Sequence, residues 1–308
     1  MEIVRSWRAF APPRQGLAVA VGNFDGLHRG HRKTLARLAA EARRRGLPAF
    51  VLTFTPHPEK FFGHSRIKML QTLEQRLEGL SRCGLDGVVV ATFRRSLAAL
   101  SPASFVRTVL GRRLKARLVI VGANFKFGRG RAGDAVDLAR MGRGEGFEVV
   151  AVPPFRRRGQ VVSSSLIRAR LAAADIGGAN DLLGRPYEVE GDVVAGSGRG
   201  RRLGFPTANL ETPNEIVPRG VFLTVFRHGR RAWPSLTNVG LRPTFGRSRL
   251  TIETHLLDRG EDLYGASVRL AFLAKLREER AFAGVEDLTA QIRRDVARAR
   301  RFFGRPQA

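Results

Sequence analysis

The stretch Leu17–Leu38 reads LAVAVGNFDGLHRGHRKTLARL and joins a short apolar run, a glycine-containing turn and an amphipathic segment. Leu17–Val21 is apolar at every position, which is typical of a strand buried on both faces. Leu35, Leu38 and Ala42 then recur at helical spacing. The stretch therefore predicts a strand, a turn and a helix in succession, which is the repeating unit of parallel α/β sheets.

The same alternation continues to about residue 152. Four more apolar runs follow, AFVLTF, VVVATF, LVIVGANF and FEVVAVP, with helical patterns between them. Five strands and four crossovers predict an α/β fold with a Rossmann-like, doubly wound parallel sheet. Ligands of such sheets bind beyond the carboxyl ends of the strands, where we expect Asn23–His31, Thr55–Pro58 and Asn124–Gly133.

The pattern changes in the second half of the chain. A helix is predicted over Ser163–Leu171, and from Tyr187 to Leu276 strand-like alternation is broken by Gly, Pro and Asn turns, as in an antiparallel barrel or sandwich. A closing helix is predicted over Val285–Phe302. We therefore expect two domains, 1–182 and 183–308.

Composition excludes several classes of protein. The chain has 308 residues, 43% hydrophobic, without an apolar run of the roughly 18 residues that would span a bilayer, so no membrane association is expected. The N-terminus lacks the apolar core of a secretory signal, which predicts a cytoplasmic location. Cys83 is the single cysteine, which excludes an internal disulfide and a cysteine-based zinc cluster.

The formal net charge of +27 would by itself suggest a nucleic-acid partner. Arginine supplies nearly all of this charge and is spread along the chain, and its densest runs are short: Arg43–Arg45, Arg156–Arg158 and Arg199–Arg202. This distribution is typical of solvated faces, so no specific nucleic-acid partner is expected. Nucleic-acid binding as an additional activity stays open as an alternative.

The first stretch also carries a pair of histidines. His28 and His31 are three residues apart, so both can face one anion from a helix N-terminus, whose free N–H groups add positive potential. Such a site suits in-line attack on a nucleotide α-phosphate, because that chemistry depends on positioning and on stabilising phosphoryl oxygens.

GNFDGLHRGH resembles the signature of the HxGH nucleotidylyltransferases, in the form found in bacterial bifunctional riboflavin kinase/FMN adenylyltransferases. Three other segments resemble motifs of that family: Thr53–Pro58 (TFTPHP), Val121–Asp134 (VGANFKFGRGRAGD) and Val162–Arg168 (VSSSLIR). The last departs from the family by Ser165 in place of threonine, which keeps a hydroxyl. There is no P-loop motif and no GxGxxG after a strand.

The resemblance implies roles for residues of the first domain. His28 and His31 are the candidate catalytic groups. Serine hydroxyls and N–H groups at a helix start, with an arginine one turn on, suit a polyphosphate. The candidate ATP-binding residues are Gly22, Phe24, Asp25, Asn124, Ser163, Ser164, Ser165 and Arg168. Flavin contacts are expected from His57, Phe62 and Phe127, although phenylalanines near loops often simply pack.

A second signature lies in the second domain. Gly191–Leu210 (GDVVAGSGRGRRLGFPTANL), Arg219–Phe222, Asn238–Phe245 and Glu253–Asp258 resemble the riboflavin kinase module, with Phe222 where the family often has tyrosine. Gly198, Gly200 and Gly204 would expose N–H groups to ATP phosphates. The resemblance assigns Mg²⁺ binding to Thr207 and Asn209. Glu253 is the candidate base for the riboflavin hydroxyl.

These expectations combine into one reaction sequence. A C-terminal barrel with a terminal helix would phosphorylate riboflavin with ATP and Mg²⁺, giving FMN. The N-terminal domain would then transfer AMP from a second ATP to FMN, giving FAD and pyrophosphate. The main alternative is a nucleotidylyltransferase with another acceptor and a regulatory second domain. The oligomeric state is left open by the sequence.

Overall fold

A computed structural model describes residues 1–5, 7, 10–63, 67–244, 247–257 and 263–304, with only the backbone at 242–244 and 247–249. The chain divides into two compact units, Met1–Ser164 and Ser165–Ala308. Phe245 and Asp258, which belong to two of the motifs above, lie outside the described residues.

A six-stranded parallel sheet forms the centre of the first unit. Its order is β1-β4-β3-β2-β5-β8. The strands are β1 (Glu2–Val4), β2 (Leu17–Val21), β3 (Ala49–Thr55), β4 (Gly87–Thr92), β5 (Ala116–Gly122) and β8 (Glu148–Val152); two-residue pairs form β6 (Lys126–Phe127) with β7 (Gly133–Asp134) and β9 (Arg156–Arg157) with β10 (Gln160–Val161).

Strand β2 shows why the sheet is buried on both faces. Leu17, Val19 and Val21 belong to one apolar cluster, whereas Ala18 and Ala20 belong to the cluster on the opposite face. The strands β3, β4 and β1 lie on one side of β2, and the later strands β5 and β8 lie on the other. The strand order therefore reverses between β2 and β5. The predicted doubly wound sheet is confirmed, and its ligand crevice should open at the carboxyl ends of β2 and β5.

The predicted count of five strands in this sheet was wrong by one. β1 adds a sixth strand at the edge, in parallel register with β4. Its three residues are exposed or half-buried, so they show neither an apolar run nor a regular alternation. Such a short edge strand has little sequence signal.

Helices cover both faces of this sheet: α1 (Arg29–Arg44), α2 (Pro58–Phe61), α3 (Leu73–Ser81), α4 (Arg95–Ala98), α5 (Pro102–Phe105) and α6 (Ala135–Gly144). The next helix, α7 (Ser164–Ala172), begins at the boundary between the two units. The helix predicted near residues 105–114 is α5 followed by a π-helix, Val106–Arg113, and a 3₁₀ turn spans Arg129–Arg131. α8 (Ile176–Leu183) was not predicted. Its Asn180 bonds the carbonyl of Phe272 and the N–H of Tyr187, within the second unit.

The second unit is a closed antiparallel barrel of order β11-β12-β15-β14-β13-β16. Its strands are β11 (Tyr187–Val194), β12 (Ala208–Glu211), β13 (Gly220–His228), β14 (Arg231–Thr244), β15 (Arg247–Leu256) and β16 (Ser267–Arg277), with a short helix α9 (Arg199–Arg202) and the closing helix α10 (Val285–Phe303). The predicted barrel and terminal helix are confirmed. α10 packs Val296 and Ala299 against Val221, Leu223 and Leu236 on the outer face of the barrel.

Hydroxyl groups form part of the barrel interior. Thr224 bonds Ser235 and Thr237, and Thr237 bonds Thr254, all fully buried. Each hydroxyl has a partner, so the usual penalty for burying a polar group is largely avoided. The network links β13, β14 and β15 to one another.

Candidate active sites

The loop after β2 has an unusual backbone. Phe24, Gly26 and Leu27 adopt φ values of 51°, 87° and 43°, and two of these residues carry side chains that disfavour this region. Buried Phe24 and Leu27 hold the loop in place. Such strain is typical of functional loops, and it delivers His28 to the start of α1.

His28 is the N-cap residue of α1, and its ring faces that of His31. Nδ1 of His28 accepts the N–H of His31 at 3.2 Å. The neutral ring therefore carries its proton on Nε2, which becomes a hydrogen-bond donor. The two rings stack with centroids 3.6 Å apart, and Phe24 packs edge-on against His31. A Cβ on Gly30 would lie 3.2 Å from the His28 ring, so glycine is the residue that fits there.

Both imidazoles are neutral in this structure. Burial lowers the pKa of His28 to about 4. Burial, followed by the charge of His28, lowers the pKa of His31 well below its usual value. Burial therefore favours the neutral form of both rings. A phosphate placed beside the rings would raise both pKa values.

Two motifs that are distant in sequence meet at Asp25. The Ser164 hydroxyl donates to the carbonyl of Asp25 at 2.8 Å, across 139 positions. The buried Asp25 carboxylate accepts the N–H of Leu70 at 3.0 and 3.2 Å. Asp25 therefore anchors the loop instead of facing solvent. Ser163 and Ser164 stand at the start of α7, whereas Ser165 and Arg168 lie farther along it in the second unit, so their ATP roles stay predictions.

The loop after β3 lies beside the loop after β2. The side-chain amide of Asn23 is 2.8 Å from Nε2 of His57, and Nδ1 of His57 accepts the N–H of Glu59 at the start of α2. Arg76 of α3 donates to the carbonyls of Asn23 and Phe54. The structure thus stacks His28 on His31 and joins His57 to Asn23 of the same loop, whereas the roles predicted for these residues stay predictions.

The two predicted flavin-stacking rings differ in exposure. Phe62 is 48% exposed and packs edge-on against Phe61 and Phe93. Phe127 is only 6% exposed and lies against Phe105 and Phe125. Phe62 is therefore the ring that a planar ligand can reach in this structure.

Gly22 and Asn124 occupy the ends of adjacent strands. A Cβ on Gly22 would lie 3.2 Å from the ring of Phe24, so the glycine permits the close turn. Asn124 is exposed, two residues beyond β5. Both positions border the crevice expected where the strand order reverses.

A cavity of about 550 Å³ marks the second unit. Thr207, Asn238 and Glu253 line it, together with Phe282 from the segment before α10. Glu253 pairs with Asn209 across β12 and with Asn238 across β14, so the three polar side chains share the outer face of the barrel.

The glycine-rich segment packs closely on the same residues. A Cβ on Gly200 would lie 2.5 Å from the carbonyl of Phe205 and 3.0 Å from Oγ1 of Thr207, and one on Gly196 would lie 2.0 Å from the Asn209 amide. Gly198 and Gly204 adopt positive φ with open space around them. Among the described residues, no cluster of three His, Cys, Asp or Glu side chains offers a ready metal site. The neutral oxygens of Thr207 and Asn209 beside Glu253 fit Mg²⁺, which prefers a few protein oxygens together with phosphate.

Several residues of these sites were missed in the sequence. Arg76 looks like a surface position of an amphipathic helix, yet it is 4% exposed. His255 also lines the cavity, and its Nδ1 lies 2.8 Å from the carbonyl of Pro206. Both side chains contact backbone carbonyls. Every residue has a carbonyl, so the sequence does not reveal such contacts. The alternation of β15, with Glu253 and His255 on one face, was the one available indication.

Protein-family models match both halves of the chain. A family model described as FAD synthetase matches residues 11–166, and one described as riboflavin kinase matches residues 183–303. No helix among the described residues has the length and apolar character needed to cross a bilayer.

Curated relatives match over nearly their whole length. The bifunctional riboflavin kinase/FMN adenylyltransferase of Escherichia coli strain K12 is 39% identical, covering 95% of this chain and 94% of the relative. The protein of the same name from Pseudomonas fluorescens is 39% identical, covering 97% of each. A crystal structure described as a macrolide-efflux protein from Streptococcus pneumoniae superposes with a TM-score of 0.88 at 27% identity, covering 97% of this chain and 98% of that one. With both modules matched in order over almost all of its length, the chain belongs to the family of bifunctional riboflavin kinase/FMN adenylyltransferases.

Proposed function

We propose that this protein makes FAD from riboflavin in two steps, with one site in each unit. The second unit transfers the γ-phosphoryl group of ATP to riboflavin and releases ADP. The first unit transfers the AMP group of another ATP to FMN and releases pyrophosphate. The observation that carries the proposal is that each unit assembles the polar groups for its own reaction: the stacked histidines at the sheet, and Glu253 beside Asn209 on the barrel.

In the adenylyl transfer, a phosphate oxygen of FMN attacks the α-phosphorus of ATP and pyrophosphate leaves. Nε2–H of His28 is directed by the cap as a donor to a phosphoryl oxygen, and stacked His31 supplies a second ring beside it. Charge that develops on the phosphoryl oxygens is stabilised by these donors and by N–H groups at the start of α1. No residue needs to act as a nucleophile.

The flavin would lie on the side of His57 and Phe62. Phe62 presents an exposed ring to the isoalloxazine, and His57 is held rigidly by Glu59 and Asn23. Phe127, which packs against Phe105 and Phe125, is too buried to present its face to the flavin in this structure. Ser163 and Ser164 would hold the triphosphate of ATP, with Gly22, Phe24, Asp25 and Asn124 shaping the nucleotide side.

In the kinase reaction, Glu253 takes the proton of the riboflavin 5′-hydroxyl as its oxygen attacks the γ-phosphorus. Gly198 and Gly204 would leave the backbone accessible to ATP phosphates, and Gly200 permits the close approach of this segment to Thr207. Thr207 and Asn209 would hold Mg²⁺, which neutralises phosphate charge when it is bound. His255 keeps Pro206, and with it Thr207, in place.

Two substitutions test the division of labour. With riboflavin, ATP and Mg²⁺ supplied, His28→Ala should form FMN at the wild-type rate but lose FAD formation by about 100-fold or more, since donors to transition-state oxygens have effects of that size. Glu253→Ala should lose FMN formation but still convert added FMN to FAD. Chromatographic separation of the flavins measures both rates. Equal losses of the two reactions in both variants would contradict the proposal.

A further inference from the structure

Arg76 is buried between two strands of the parallel sheet. It lies in α3 and is 4% exposed, and its guanidinium donates to the carbonyls of Asn23 at 2.8 Å and Phe54 at 3.1 Å. Asn23 follows β2, and Phe54 is the penultimate residue of β3. The two carbonyls therefore belong to neighbouring strands at their carboxyl ends.

The guanidinium donates to carbonyls at the ends of β2 and β3, just beyond the last backbone hydrogen bond between these strands. The N–H of Gly22 bonds the carbonyl of Leu52, which ends the ladder between β2 and β3. Phe54 is two residues beyond Leu52, so its carbonyl also points toward β2. The chain turns away at Phe24 with a φ of 51°. Arg76 donates to this carbonyl and to that of Asn23, and so links the ends of the two strands.

Burial of this cation is costly, and little of it is offset by ion pairing. Desolvation lowers the pKa of Arg76, and the nearby carboxylate of Asp25 partly opposes the shift. Nε of Arg76 is buried without a hydrogen-bond partner. Apolar side chains would fill a purely structural position in this core at lower cost, so packing alone does not account for an arginine here.

Through Asn23, Arg76 is connected to His57, on the side of the candidate site where the flavin is expected. The Asn23 carbonyl also accepts the Thr53 hydroxyl at 3.2 Å, so its position is set from two directions. The side-chain amide of the same residue lies 2.8 Å from His57. A shift of Asn23 would therefore move both the partner of His57 and the start of the loop that ends at His28.

We propose that Arg76 is a positioning residue for FMN adenylylation, because its guanidinium links the ends of β2 and β3 and thereby sets the placement of Asn23 and His57. It does not touch the reacting atoms. This inference rests on the proposed adenylyltransferase function of the first unit.

The test compares Arg76→Met, Arg76→Lys and the control Arg82→Met, all in the full chain. Arg82 is at the exposed end of the same helix and pairs with Glu78. Arg76→Met should lower kcat/KM for FMN by about 10- to 100-fold, which corresponds to losing hydrogen bonds to a charged donor. KM for FMN should rise more than KM for ATP, and Arg76→Lys should fall between Met and wild type. Riboflavin kinase constants of each variant serve as an internal control and should not change.

Guanidinium rescue keeps the test decisive if the methionine variant folds poorly. Added guanidinium at millimolar concentration should restore part of the FAD formation lost in Arg76→Ala and should not change the Arg82→Met enzyme. The inference is overturned if Arg76→Met keeps wild-type constants, if its losses match the fall in folded protein measured by thermal unfolding, or if neither lysine nor guanidinium restores activity. If the wild-type enzyme itself forms no FAD from FMN and ATP, the proposed function fails instead.

Discussion

Burial on folding lowers the pKa of His28. Its pKa is about 4 in the folded chain, against an unfolded value near 6.5. Between these values the unfolded chain binds a proton that the folded chain does not, so stability falls as pH drops from 6.5 to 4 and is unaffected above that window. The full effect is roughly 3 kcal/mol.

Urea unfolding at a series of pH values measures this effect. His28→Asn keeps a good N-cap residue but removes the titrating ring, so its stability should depend less steeply on pH between 4 and 6.5. Ring-proton NMR gives an independent check, because the His28 signal should not titrate near pH 6.5. Identical pH slopes in the two proteins would show that His28 is not held neutral by burial.

Side-chain motifs predicted the candidate site only in part. The spacing of His28 and His31 correctly placed both rings together, whereas the hydrogen bond from Ser164 to the Asp25 carbonyl was not predicted. Arg76 could not be found this way, because it recognises carbonyl oxygens that every residue carries. The burial of Phe127 was also invisible, since a phenylalanine near a loop can pack or remain open.

At the scale of elements, the hydroxyl network of the barrel links the strands that carry the kinase residues. Thr237 and Thr254 lie next to Asn238 and Glu253 in sequence and bond each other at 2.9 Å inside the barrel. Thr254→Val should lower the free energy of unfolding by about 1–3 kcal/mol, because it leaves the Thr237 hydroxyl with one partner fewer. Urea unfolding of the two proteins measures the difference.

The double variant separates the hydrogen bond from the loss of each hydroxyl. Thr237→Val and Thr254→Val together should cost less than the sum of the single substitutions, because no unpaired hydroxyl then remains between them. Strictly additive losses would show that the two threonines act independently and that the network does not couple β14 to β15.

Long, strongly patterned elements were predictable and short ones were not. β2, β3 and α10 each bury a continuous or periodic set of side chains, which is what a pattern detects. β1 and α9 have three and four residues, too few to show a period. The π-helix of Val106–Arg113 has a register that helical spacing does not distinguish from an α-helix.

At the scale of the whole molecule, the domain boundary can be tested directly. The sequence places it at 182/183, whereas the compact units divide at Ser164 and Ser165. All of α8 except Leu183 lies between these two boundaries. Its buried Ile176, Ala179 and Leu182 and the hydrogen bonds of Asn180 fall within the second unit. A fragment covering 165–308 should therefore be more stable than one covering 183–308.

The expected difference is at least about 2 kcal/mol, from two hydrogen bonds and several buried apolar side chains. Thermal unfolding of the two fragments measures this difference. Asn180→Ala should lower the unfolding temperature of the longer fragment part of the way toward that of the shorter one. Equal unfolding temperatures would favour the boundary at 182/183. Both fragments should phosphorylate riboflavin if they fold, because the cavity residues lie within 199–295.

The cap on α1 also explains the interval between the two histidines. A side chain at an N-cap reaches the backbone N–H two or three positions ahead, and in this protein the N–H that His28 reaches is that of His31. The first ring is thus locked by the main chain of the second, and one inserted residue would break the lock before any nucleotide arrived. The interval of three residues between the two histidines is therefore set by the geometry of helix initiation rather than by the size of a phosphate.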